Sequence, residues 1–345
     1  CETQFMTSAN PNLDPDHNGY PLDCSGWSIL GNAGNPTGIL GRPDFNDDQG
    51  HGTHVAGIIA AQMDPQFLGV SGVSSNVEII PIQVIGKNPS EPVKPLSTDI
   101  NLDALSPVET KQKWPKKSLG DLVARGLLYA FKSKADVVNL SLGWPAARDS
   151  ELIRGLIAEM HNRGIIVVAA AGNDSTRALL RPCAYEGVIC VGSHGPDGAI
   201  SHFPNYGGGV DILAPGLNIF STFPMETRPV RFRKTWGFEF LSGTSQASPF
   251  VAGVVAEMIA QGIPKNEIYP RLMATTRLPK VNQGLFEGVP HLPDKLISLK
   301  SNVEAKMTLA GNMDFAKAMV AKPTPVVLPT IKEKTTLNWN SFDKK

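Results

Sequence analysis

From Asp136 to Gly192 short β-branched runs and helical periods take turns, and this alternation restricts the fold more than any other feature of the 345-residue chain. Asp136 to Leu142 reads as a strand, Glu151 to Asn162 as a helix stopped by Gly164, and Ile165 to Ala171 and Gly187 to Gly192 as buried strands. Upstream, Val77 to Ile85 reads as a strand. Leu119 to Lys134 carries apolar residues at helical spacing, Leu119, Leu122, Val123, Gly126, Leu127 and Phe131 among them. Thr244 to Gln261 forms one more long helix. Strands that alternate with helices pair in parallel and need cover on each side, so the expected architecture is three-layer α/β, a central, mostly parallel sheet with helices on both faces.

Two stretches interrupt the rhythm. Residues Lys87 to Ser118, rich in Pro, Lys and Ser, are too long for a simple connection and form an insertion loop. Pro224 to Trp236 is a second loop, whose Arg228, Arg231, Arg233 and Lys234 make a solvated basic face or a contact for substrate or propeptide. A short helix is expected near Asn312 to Met319. One domain is therefore expected over 1–320, with the insertion at 87–118, followed by a Pro-containing linker or tail over 321–345.

Charge and hydropathy exclude whole classes of function. Lys plus Arg and Asp plus Glu balance at 32 each, so no net field attracts nucleic acid or an anionic membrane. The longest apolar run, Gly164 to Gly172, is far short of a membrane span. Residue 1 is Cys and no basic-then-apolar leader opens the chain, so a secretory signal is absent or already removed. The four Cys, at 1, 24, 183 and 190, point to two disulfides and an oxidising compartment, secreted or periplasmic. Cys1 with Cys24 and Cys183 with Cys190 is the most natural pairing, although three pairings are compatible with the count.

Four segments carry chemistry, and their order matters. Gly50-His51-Gly52-Thr53-His54 places an imidazole at a glycine-flanked helix start, where it can serve as a general base. Asn139-Leu140-Ser141-Leu142-Gly143 and Ala169-Ala170-Ala171-Gly172-Asn173 each end a buried strand. Ser242-Gly243-Thr244-Ser245-Gln246-Ala247-Ser248-Pro249 opens an apolar helix with Ser245 in its first turn, so the Ser245 backbone N–H lies at the positive helix end and can hold an oxyanion. The Asn173 side-chain amide is a second donor for the same oxyanion. His54, three residues past His51, is expected to pack or hydrogen-bond. A zinc site on His51, His54 and Asp47 or Asp48 has the wrong spacing for the His-Glu-x-x-His helix and lacks its Glu.

These motifs, in this order, resemble the subtilisin family of serine endopeptidases over roughly Asp14 to Met319. The resemblance implies the subtilisin-like version of the three-layer fold, with His51 as base, Ser245 as nucleophile and Asn173 in the oxyanion hole. It further implies that Ser141, Leu142 and Gly143, with Ala171 and Gly172, bind an extended polypeptide, and that Asp174, Leu180 and Arg181 border the primary pocket. Partners would be that substrate and the chain's own N-terminal segment or propeptide. No cofactor is required for the chemistry.

The family also has a triad Asp, which ends an apolar strand and precedes Thr-Gly or Ser-Gly. Asp14, Asp16, Asp23, Asp44, Asp47 and Asp48 all precede His51, yet none has that setting. The expectation is that the Asp strand lies upstream of Cys1. The rival is a peptide-binding pseudoprotease, since losing this Asp costs about 10⁴-fold in turnover. Asp14, Asp16 and Asn18, followed by Gly19, resemble the opening of a calcium loop but lack its closing Glu, leaving a structural calcium or a plain Asx-rich turn.

Overall fold

The computed structural model describes residues 14, 16–20, 23, 25–30, 41, 47–62, 69–86, 119–224 and 237–276, with the backbone of 311–312. The expectations for 87–118, 225–236, 313–345 and the Cys1–Cys24 bridge lie outside the described residues. In chain order the elements are β1 (Trp27–Ser28), α1 (His51–Ala60), β2 (Ile82–Gln83), α2 (Leu119–Lys132), β3 (Val137–Leu140), α3 (Glu151–Asn162) and β4 (Ile166–Ala170). Then come β5 (Val188–His194), β6 (Ile212–Pro215), β7 (Ile219–Thr222), β8 (Phe238–Leu241), α4 (Thr244–Ala260), α5 (Lys265–Thr275) and β9 (Gly311–Asn312).

They fall into two compact units, one built from 1–46, 80–134 and 323–345, the other from 47–79 and 135–322. In the first, β1 and β2 pair in parallel, Trp27 opposite Ile82. Tyr20, Trp27, Ile29, Leu122 and Tyr129 form its core, where Tyr20 meets Trp27 and Tyr129 edge-on at 5.1 and 4.7 Å between ring centres. The Val77 to Ile85 strand shrinks to two residues. Ile79 and Ile80 are exposed, so β-branched composition alone found no neighbour to pair with there.

The second unit holds a five-stranded sheet in the order β3-β4-β5-β6-β9, parallel throughout. In its central strands β4 and β5 both faces are buried, which is why these read as apolar runs, whereas the outer β3 alternates between buried and half-buried. Val168, Ile189, Val191, Ile212 and Ala214 pack against Ala247, Val251, Val254, Val255 and Met258 of α4 and Ile268 and Leu272 of α5. The intervening Val167, Ala169 and Cys190 are equally inaccessible, and α3 packs on β4 with Ile153, Leu156, Ile157 and Met160 buried. Ser150 caps α3, its Oγ accepting from Ile153 N at 3.4 Å. Cys183 and Cys190 are bridged. The short β6 and α5 carry no strong periodic signal and were not expected, and the β7–β8 hairpin likewise emerges only from the tertiary structure.

Candidate active site

All four motif segments belong to the second unit. Gly50 stands before α1 with φ of 83°, and a Cβ there would lie 2.3 Å from the Phe223 ring, so the entry turn demands glycine. His51 is consequently the first helical residue and is exposed. The Asp47 carboxylate accepts from Gln49 N (3.1 Å), Gly50 N (2.7 Å), Thr53 N (2.7 Å) and Thr53 Oγ1 (2.7 Å). Burial alone would raise the Asp47 pKa, but these donors outweigh it and hold the group ionised below its usual range. Asp47 is thus the helix cap and acts on His51 only through space.

Crowding by surrounding protein lowers the His51 pKa from its ordinary 6.5, against the opposing pull of Asp47. A general base works as the neutral imidazole, and a lowered pKa keeps it neutral to lower pH. The acid limb of a kcat/KM–pH profile is therefore expected below about pH 6.5. A midpoint above pH 7 would instead reveal a carboxylate bound to the ring and contradict this environment.

His54 is fully buried and serves structure. Its Nε2 lies 3.1 Å from Ile219 O and 3.2 Å from Glu239 O. Two carbonyls can only accept, so Nε2 carries the proton and ties α1 to the β7–β8 hairpin. Among the described residues no group of three His, Cys, Asp or Glu side chains is arranged to hold a metal ion.

Ser245 is the second residue of α4, preceded by Gly243 and Thr244. Its hydroxyl donates to Ser141 O at 3.2 Å, and the Ser141 hydroxyl donates to Ser245 O at 2.8 Å. The second bond has a cause in the sequence. The Ser245 carbonyl should accept from the N–H four residues on, but that residue is Pro249, which has none. Ser141 Oγ supplies the missing donor. Having spent its one proton there, it accepts from Asn139 Nδ2 and from Ser248 Oγ, both at 2.9 Å.

Asn173 Oδ1 accepts from Thr244 N (2.9 Å) and Thr244 Oγ1 (3.0 Å), and Gly172 N donates to Thr244 Oγ1 (3.1 Å). Because Thr244 N can only donate, the amide orientation is determined and Nδ2 faces the other way. A Cβ placed on Gly243 would lie 2.9 Å from Gln246 Oε1, 3.3 Å from Asn173 Nδ2 and 3.6 Å from Ser245 N. The space beside Gly243 is therefore bounded by the Gln246 side-chain oxygen and by two N–H donors, one of them in the first turn of a helix where no intrahelical acceptor exists. The two donors, unlike the Gln246 oxygen, suit a developing oxyanion.

The residues matched to substrate binding divide into two kinds. Ala171 N donates to Val191 O (3.0 Å), Ala171 O accepts from Asn205 Nδ2 (3.1 Å), and Gly172 O accepts from Asn205 N (2.8 Å). Their backbone groups are committed to the fold. Ser141, Leu142 and Gly143 instead prolong β3, which is the outer strand of the sheet among the described residues. Of the pocket residues, Asp174 is exposed, whereas Arg181 pairs with Trp144 through N–H···O bonds of 2.8 Å each way. Asn205, which clamps Ala171, Ala178 and Asp174, was missed. Nothing local marks it, because its partners lie about thirty residues upstream.

In the first unit, Asp14 Oδ2 accepts from Gly19 N (2.9 Å), Asp16 Oδ1 from Asn18 N (3.2 Å) and Asn18 Oδ1 from Tyr20 N (2.7 Å). Asn18 Nδ2 donates to Asp23 Oδ2 at 2.8 Å. Burial, and then the neighbouring Asp16, raise the Asp14 pKa, and Asp14 Oδ1 is buried with no hydrogen-bond partner. Asp14, Asp16 and Asn18 each already accept one backbone N–H, and Asp14 Oδ1 is left for a further partner.

A parallel α/β sheet with a serine at a helix N-terminus and flanking amide donors defines a class of nucleophilic hydrolase site. The subtilase family model matches residues 37–285, and the chain belongs to that family. It is 33% identical over 218 residues to an alkaline protease of Alkalihalobacillus alcalophilus, covering 63% of this chain and 47% of the relative. Subtilisin Savinase of Lederbergia lenta is likewise 33% identical over 218 residues, covering 63% of this chain and 66% of that one. Subtilisin DY of Bacillus licheniformis is 29% identical over 310 residues, 88% of this chain and 93% of the relative. The chain thus spans about half the length of the first of these relatives. Among solved structures, a mutant of the PatA protease domain shares the fold at TM-score 0.55 and 22% identity, covering 87% of this chain and 88% of that chain. The prenylagaramide maturation protease PagA does so at TM-score 0.51 and 22% identity, covering 78% and 81%.

Proposed function

We infer that this chain is a serine endopeptidase. The observation that supports this reading is that Asn173 Nδ2 and Ser245 N both border the space beside Gly243, at the start of the helix that carries the Ser245 hydroxyl. Ser245 Oγ rotates off Ser141 O and attacks the scissile carbonyl while His51 takes its proton. The oxyanion is held by Asn173 Nδ2 and Ser245 N. His51 then protonates the leaving amine, and water attacks the acyl-enzyme by the same route.

An extended polypeptide would add as a strand along Ser141 to Gly143, where main-chain bonds give affinity and pockets give selectivity. The chain's own N-terminal segment or propeptide is a second partner of the same kind. The Cys183–Cys190 bridge supports a secreted or periplasmic setting, and no described helix is long and apolar enough to cross a membrane. The chemistry uses no cofactor. A calcium in the first unit would be held by Asp14 and Asp16, where it would neutralise charge in the loop.

The second reading, a peptide-binding pseudoprotease, is favoured by one observation, the commitment of Asp47 to capping α1. Fluorophosphonate labelling read by peptide mapping separates the two. The expected result is covalent modification at Ser245 that Ser245→Ala abolishes. A folded chain that takes no label would make it a pseudoprotease.

A further inference from the structure

The helix that begins at His51 and the β7–β8 hairpin lie in close contact. A Cβ built on Gly57 of α1 would stand 2.2 Å from Thr222 Oγ1 and 2.4 Å from Ser221 Oγ, so glycine is what lets the two approach. Two hydroxyls of β7 use that proximity. Thr222 Oγ1 donates to Thr53 O and Ser221 Oγ to His54 O, each at 2.8 Å. The His54 side chain adds a tie of another kind, since its Nε2–H reaches Ile219 O of β7 and Glu239 O of β8 together. One side chain thereby grips both strands.

Beside that grip lies the entry to α4. Ile219 pairs with Leu241, and just before it Asn218 N donates to Ser242 Oγ at 2.8 Å. Gly243 N donates to Gly216 O, also at 2.8 Å. Ser242 and Gly243 lead directly into Thr244 and Ser245. The hairpin therefore holds the approach to the nucleophile and is fastened, through His54, to the helix of the general base. On that helix His54 lies three residues past His51, about one turn on.

The ring suits this task only as a neutral group. With Nε2 carrying the proton, Nδ1 is a bare acceptor, and it is buried with no hydrogen-bond partner. A second proton would add a charge and an N–H that nothing accepts, in a residue with no exposed surface. Burial, before any other cause, holds the His54 pKa below its ordinary 6.5. The bonds to the two carbonyls and the Glu239 carboxylate oppose that shift, and His51 on the same helix adds to it. Asp47 is spent on N–H groups of the first turn. β7 carries no ionisable side chain, and Glu257, the one on α4, is engaged by Ser74 and Gln261 beside the last turn of α1.

We propose that His54 is a positioning residue, whose neutral imidazole seats the β7–β8 hairpin and the entry to α4 against the helix of His51, so that Ser245 and His51 keep one separation. The proposal rests on the endopeptidase reading and adds to it a residue that never touches substrate. α4 also packs along α1, so the helix keeps its place without the ring, and the seating of the hairpin is what depends on it.

The test compares wild type, His54→Gln and His54→Phe after Ser245 labelling of wild type has been measured, using one peptide p-nitroanilide. Gln keeps a donor near the place of Nε2 but does not titrate, whereas Phe keeps a ring and loses the donor. His54→Phe is expected to lower kcat at least about tenfold with little change in KM, since a misplacement of about 1 Å can cost 10²-fold in the chemical step. His54→Gln is expected to restore most of that loss and serves as the folded comparison should the Phe variant not fold. Acid gives an independent readout. The unfolded ring titrates at its ordinary 6.5 and the folded ring lower, so unfolding takes up a proton and stability falls as pH drops below 6.5. Between about pH 7 and about pH 5 the wild-type melting temperature should fall at least about 2 °C further than that of His54→Gln. A folded His54→Phe with wild-type kcat, or equal acid losses in wild type and His54→Gln, overturns the role of His54 and leaves the protease reading standing. A folded wild type that Ser245 probes do not label overturns both.

Discussion

Asn173→Asp is expected to lower kcat by about 10²–10³-fold with little change in KM, the size known for loss of one oxyanion donor in a subtilisin rather than a value derived from this geometry. The aspartate is the informative substitution. It keeps an oxygen for Thr244 N and Thr244 Oγ1, now at 2.9 and 3.0 Å from Asn173 Oδ1, so the junction between β4 and α4 stays closed. What it removes is Nδ2, the donor that borders the space beside Gly243, replacing it with an oxygen that repels negative charge. The oxyanion exists only in the transition state, so the loss belongs in kcat. Asn173→Ala would lose the same donor but also leave Thr244 N without its acceptor, confounding catalysis with stability. Steady-state kinetics beside thermal melts decide the matter. A folded Asn173→Asp variant with near wild-type kcat would show that this amide does not face the reacting oxygen.

The second large effect should come from the partnership between Ser141 and Pro249. Ser141→Ala strips the Ser245 carbonyl of its donor, and an unsatisfied buried polar group costs about 1–3 kcal/mol. Part of that cost falls on activity, because the same peptide segment orients the Ser245 N–H and hydroxyl. In a Pro249→Ala background the residue four positions on regains an N–H, which can close the ordinary helical bond to Ser245 O. The Ser141→Ala cost should then shrink by about 1 kcal/mol or more, a coupling typical of groups that share one partner. Losses at Asn139 and Ser248 occur in both backgrounds and cancel in the cycle. Denaturant melts and kcat for the four variants supply the numbers. Equal costs in both backgrounds would remove the claim that Ser141 replaces the bond that proline deletes.

Legibility in the sequence followed periodicity. α2, α3 and α4 were placed within two residues because long amphipathic or apolar helices repeat the same signal several times. β4 and β5 were visible because burial on both faces gives each a continuous apolar stretch, and β3 because its β-branched pair Val137 and Val138 opens the alternation. Val77 to Ile85 failed for the same reason that the others succeeded: its composition suits a strand, but pairing depends on what lies alongside, and only Ile82–Gln83 finds Trp27–Ser28. β6 and α5 were overlooked because a four-residue strand and a helix with weak polar asymmetry say little on their own.

The site divides along the same line. By itself the sequence determined which groups are present: an imidazole after a glycine turn, a serine at a helix start, an amide at a strand end, and a proline four residues past the serine. Those are local properties, each encoded in a handful of adjacent residues. Only the tertiary structure decided their directions. It turned Asp47 to the backbone of α1, turned Asn173 Oδ1 onto Thr244 and so Nδ2 away from it, and laid Leu180 against Gly143 and Gly172. The physical reason is that a short-range hydrogen bond or a filled slot depends on positions set to within an ångström by contacts between segments thirty to a hundred residues apart. No local pattern carries that information.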